Sequence, residues 1–121
     1  METRNPMPLI YKILQPSEWE AMQAQGHLTG APVDIADGYI HFSTARQVRE
    51  TAARHFSQAR ELILLAVDAE ALGGSLKWEP SRGGDLFPHL YAILPLAQVR
   101  AVHPLCLGGD GVHQFPAELD E

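Results

Sequence analysis

Apolar and polar positions along this chain fall into a few distinct rhythms. The apolar-rich run LIYKIL, Leu9 to Leu14, reads as a first strand, while Met1 to Pro8 carries two prolines and no period and is expected to be a loose arm. A helix is announced at Pro16-Ser17-Glu18-Trp19-Glu20, where Ser17 and Glu20 have the S-x-x-E spacing of a capping box. Gly26 is placed to close it with a left-handed turn, and Trp19 and Met22, three apart, are expected on its core face. His27 to Gly38 sustains no period and carries two glycines, a proline and two aspartates, which predicts a loop across the surface.

The next segment alternates. In YIHFS, Tyr39 to Ser43, Ile40 and Phe42 share one face and are expected to look into the core, leaving Tyr39, His41 and Ser43 on the other. Thr44 and Gln47 stand at capping-box spacing for a helix over Ala45 to Phe56. At ~100° per residue that helix gathers Ala45, Val48, Ala52, His55 and Phe56 in a packing arc and Arg46, Arg49, Glu50 and Arg54 in a wet one. Leu62 to Val67 is apolar at every position, the pattern of a central strand covered on both faces. Beyond it come a helical turn at Ala69 to Leu72, a strand at Leu76 to Glu79, a turn at Pro80 to Asp85, an extended segment at Leu86 to Tyr91, a turn of helix at Leu96 to Arg100 and a last strand at Ala101 to Leu107.

The predicted order is β-α-β-α-β-β-β-β, about six short strands with two main helices early in the chain. Such elements do not alternate as a doubly wound sheet requires, so the fold class is α+β. A single globular domain is expected over residues 9–107, between the arm at 1–8 and a glycine-rich, acidic tail or added edge segment at 108–121.

Composition narrows the function. A formal charge of −6 argues against general nucleic-acid binding, which needs a basic surface to displace counterions. The lone Cys106 forms no internal disulfide, and the opening METRNPMPLIYKIL lacks the long apolar core of a signal peptide, so a cytoplasmic protein is expected. No run reaches the ~20 apolar residues of a membrane span. Neither G-x-G-x-x-G after a strand nor a P-loop is present, and H-x-x-x-H, H-E-x-x-H and C-x-x-C are all missing, so no metal site is expected.

Among the six histidines, His41 and His89 stand out because each lies in an extended segment beside turn residues and beside hydroxyl or aromatic groups. These two are the candidate catalytic residues, with a reference pKa near ~6.5 that suits acid, base or hydrogen-bonding roles. Candidate ligand contacts are Lys12, Ser43, Thr44, Arg46, Asp85 and Tyr91. Arg46 lies in the first turn of a helix, where free N–H groups favour anions, so a phosphate near Ser43, Thr44 and Arg46 is chemically reasonable. The plainer reading of Ser43 is a helix cap, since no G-x-S-x-G elbow surrounds it.

IYKIL, DGYIHFSTARQV, LILLAVD, LKWE and GGDLFPHLYAILPLAQV together resemble the small bacterial family known as domain of unknown function 952, over about Leu9 to Pro104. The resemblance implies a fold similar to ADP-ribosyltransferases and, with it, an NAD- or ADP-ribose-like ligand. Tyr11-Lys12 would occupy that fold's first motif position and Tyr39 to Ser43 its second. The third falls on Asp85 to His89, which contains no glutamate, so ordinary ADP-ribosyl transfer would require Asp85 to reach the ribose. Two readings compete with a ligand-binding domain of this kind: a non-catalytic interaction module and a metal-dependent hydrolase.

Overall fold

The structure, a computed structural model, describes residues 9–120, apart from the side chains at 82, 118 and 120. The expected arm at 1–8 lies outside the described residues. Among the described residues three antiparallel sheets organise the chain. Strand β1 (Leu9–Leu14) pairs with β4 (Glu61–Asp68), which pairs in turn with β8 (Val99–Cys106). A second sheet has the order β3-β6-β5, from β3 (Ile40–His41), β6 (Leu86–Leu90) and β5 (Leu76–Pro80). A small ladder joins β2 (His27–Leu28) to β7 (Leu94–Pro95). The class is α+β, with three α-helices among the described residues: α1 (Pro16–Gln25), α2 (Pro32–Asp37) and α3 (Val48–His55).

The wholly apolar run of β4 lies at the centre of its sheet, as its pattern predicts. Leu65 and Val67 join Ile10 and Leu14 of β1, Met22 of α1, and Ile40, Phe42 and Leu90 from the second sheet in one core cluster. Leu62, Leu64 and Ala66 turn the other way and pack with Val48 and Ala52 of α3 in a second. Burying both faces of one strand removes several large side chains from water, each worth ~1.5–3 kcal/mol. The two sheets meet where Tyr11 and Ser43 exchange backbone hydrogen bonds of 2.7 and 2.9 Å.

Local chemistry sets the element ends. Helix α1 begins two residues earlier than its S-x-x-E spacing suggests: Gln15 is the cap, its N–H donating to Glu18 Oε1 at 2.8 Å, with Pro16 as the first helical residue. Gly26 ends it in the left-handed region at φ 83°. The loop expected over 27–38 is instead β2 followed by α2. Pro32 starts that helix, and Asp34 accepts the N–H of Ala31 at 2.8 Å. These are start signals that a search for long apolar periods passes over in a six-residue helix. Helix α3 is also shorter than expected, because residues 45–47 form a turn in which Thr44 N–H donates to Gln47 Oε1 at 3.0 Å.

Cys106 is exposed, because β8 is an edge strand whose buried face is carried by Leu105. Of the two expectations for the segment, tail or added edge, residues 108–120 fold back against the domain. Leu107 bridges to His113, His113 Nε2 meets the Ala59 carbonyl at 2.6 Å, and Leu119 is buried in the second core cluster. Among the described residues no helix is long and apolar enough to cross a membrane.

Candidate functional site

Strand pairing brings the two histidines together. In the β3–β6 ladder Ile40 faces Leu90 and His41 faces His89. Paired residues project from the same face of a sheet, so the alternation that sends Ile40 and Leu90 into the core sends both imidazoles outward side by side. Their ring centroids are 5.5 Å apart, edge to face. Tyr39 stacks on His89 at 4.1 Å and approaches His41 at 4.6 Å, so the aromatic faces form one continuous surface.

Each imidazole is held by carboxylate. His41 Nδ1 lies 2.6 Å from Asp34 Oδ1, and its Nε2 lies 3.0 Å from Asp37 Oδ2. Only the doubly protonated ring donates to both at once. Asp34 itself is almost wholly enclosed and also receives the Lys12 ammonium at 2.9 Å and the His41 backbone N–H at 3.1 Å. Burial pushes its carboxyl up, but the hydrogen bond from His41, the charge and hydrogen bond of Lys12 and the Ala31 N–H prevail and bring it down to about 2. Lys12 occupies this place because it alternates with Ile10 and Leu14 on the inner face of β1, where a buried ammonium requires a partner.

His89 Nδ1 lies 2.8 Å from Glu79 Oε1, and the Tyr91 hydroxyl donates to the same oxygen at 2.7 Å. Glu79 reaches His89 across the β5–β6 ladder, in which Lys77 faces His89 and Glu79 faces Phe87, a diagonal same-face neighbour. The hydrogen bonds from His89 and Tyr91 hold the Glu79 carboxyl below its usual value. Its acceptance pushes the Tyr91 hydroxyl up to about 12, with burial and the charge of Glu79 adding to it.

A cavity of about 650 Å³ opens in front of His41 and His89. Its other walls include Lys12 and Ile13 of β1, Pro32 of α2, Ser43, Thr51 and Phe56. The volume falls in the range of ordinary small-molecule sites, ~300–1,000 Å³. Ser43 is not presented as an activated nucleophile: its hydroxyl pairs with that of Thr51 at 2.9 Å.

Thr44, Arg46 and Asp85 are elsewhere. They line a second cavity, also about 650 Å³, together with Gln47, Glu50, Arg54 and Gly83. Phe87 lines both cavities and stands between them. Ser43, Thr44 and Arg46, expected around one phosphate, are therefore divided between two cavities, because Arg46 projects from the wet arc ahead of α3 while the Ser43 hydroxyl points to Thr51. Asp85 does not share the histidine cavity. Tyr91 sits on the outer side of the aromatic cluster, its ring 5.2 Å from that of Tyr39. Asp34, Asp37 and Glu79 are the side chains that sequence reasoning missed. Asp34 carried a signal, the Pro-x-Asp start of a helix, whereas Glu79 carried none beyond lying in a strand. Among the described residues no three His, Cys, Asp or Glu side chains converge as metal ligands.

Taken together, the chain is an α+β domain with a carboxylate-held histidine pair in the wall of a cavity. It belongs to the family described as Protein of unknown function (DUF952), whose model matches residues 13–102. It is similar to the crystal structure of protein CC0527 from Caulobacter crescentus, at 51% identity and TM-score 0.89, with 93% of this chain and 99% of that one covered. The solution NMR structure of CC0527 is similar at 54% identity and TM-score 0.80, covering 88% of this chain and 91% of that one. No curated protein matches the chain.

Proposed function

We propose that this domain, an ADP-ribosyltransferase-like fold in a cytoplasmic setting, binds a nucleotide-like or phosphorylated small molecule in the cavity fronted by His41 and His89. One observation carries the reading: the two imidazoles, 5.5 Å between ring centroids, both line a single void of ligand size. Imidazole rings suit contact with a planar ring, and the Lys12 ammonium in the same wall suits its acceptor groups. Thr44 and Arg46, first expected to hold a phosphate, line the adjoining cavity, which shares Phe87 with this one. Asp85 shares that second cavity, so it is no candidate for the ribose-binding carboxylate.

The test is a thermal-shift series with NAD, ADP-ribose, nucleoside phosphates and sugar phosphates. A ligand that binds only the native state stabilises it, by roughly 2.7 kcal/mol at a hundred times Kd. At least one of these ligands is expected to raise the midpoint of the wild type, and His89→Ala is expected to abolish that rise. A flat response throughout would overturn the reading in favour of an interaction module, whose supporting observation is that His41 and Ser43 both have intramolecular partners.

A further inference from the structure

The two histidines are held differently, and the difference assigns them different chemistry. His41 has a carboxylate at each ring nitrogen, so it is built as a donor on both sides. His89 has Glu79 at Nδ1 only, while its ring lines the cavity and is otherwise enclosed. An ionised carboxylate only accepts, so Glu79 requires the proton on Nδ1, and in the neutral ring Nε2 then keeps its lone pair. Tyr91 donates to the same Glu79 oxygen, which fixes that carboxylate from a second direction.

We propose that Glu79 is a positioning residue that holds His89 as a proton acceptor, with Nε2 presented to a hydroxyl group, of a bound molecule or of water, inside the cavity. The hydroxyl proton passes to Nε2, the bonding pair stays on oxygen to leave an alkoxide or hydroxide, and the ring becomes an imidazolium. Its new charge then lies beside the Glu79 carboxylate, 2.8 Å from Nδ1. Stacking against Tyr39 keeps the ring plane from turning as this happens. The role rests on the cavity being a ligand site, but the tautomer it demands does not.

Long-range ¹H–¹⁵N NMR of the full chain, at a pH where histidines are neutral, reads that tautomer directly, with His89→Gln used to assign the signals. The expected result is an Nδ1–H ring at His89, favoured over Nε2–H by about tenfold, the ratio that one ordinary hydrogen bond supports. Glu79→Ala should remove the preference, and Glu79→Gln, which keeps an oxygen at that position, should weaken it. Tyr91→Phe should leave it in place. An Nε2–H ring in the wild type, or a ratio unchanged in both Glu79 variants, would overturn the proposal. An Nδ1–H ring in a protein that responds to no ligand would sustain the Glu79–His89 pair while removing the ligand reading.

Discussion

Lys12, Ala31 and His41 all direct donors at the carboxylate of Asp34, and this one buried side chain ties β1, α2 and β3 together behind the cavity. Removing its charge leaves the Lys12 ammonium enclosed without a counter-ion, which typically costs ~3–5 kcal/mol. Asp34→Asn is therefore expected to lower the urea midpoint strongly. Lys12→Met combined with Asp34→Asn should cost less than the sum of the two single changes, and additive costs in a double-mutant cycle would show that the pair does not interact. The same residue makes stability depend on acid. Its carboxyl lies at about 2 in the folded protein against an ordinary 3.8, so its contribution is present above the ordinary value and is lost as pH falls through about 2. That contribution is on the order of 2 kcal/mol. Asp34→Asn should flatten the fall in stability between pH about 4 and about 2, as measured by urea unfolding across that range.

At the scale of elements, α2 shows how a short helix can be decisive. Its six residues carry Asp34 and Asp37, and the preceding turn places Gly30 at φ 134°, where a Cβ would stand 2.7 Å from the Asp34 Cβ. Gly38, which closes the helix at φ 90°, has open space where its Cβ would be. Gly38→Ala should cost about 1 kcal/mol for backbone conformation alone. Gly30→Ala should cost more in chemical denaturation and should also disturb the His41 ring signals, because Asp34 must move. Much of the element order was legible beforehand: β1, the alternation of Tyr39 to Ser43 and the apolar β4 are local patterns with clear periods. Helix α2 was not, since six residues cannot display a helical period, and its start signals resemble those of a turn.

At the scale of the whole molecule, the two core clusters lie on opposite faces of β4, and the second extends to the end of the described chain. Leu119→Ala should therefore destabilise by about 2 kcal/mol, the lower end for a buried leucine. Val112→Ala, at an exposed position in the same segment, should stay within about 0.5 kcal/mol. Equal midpoints for the two variants in thermal unfolding would show that the returning segment contributes no packing. The sequence by itself determined the alternation of Tyr39 to Ser43, and so that His41 would point away from Ile40 and Phe42. The tertiary structure alone decided that His89 is the residue opposite His41, that Glu79 reaches His89 diagonally from β5, and that Phe87 parts Arg46 from the histidines. The physical reason is that a side chain's face follows from a two-residue period within its own strand, whereas partner and register are settled by pairing between segments far apart in the chain.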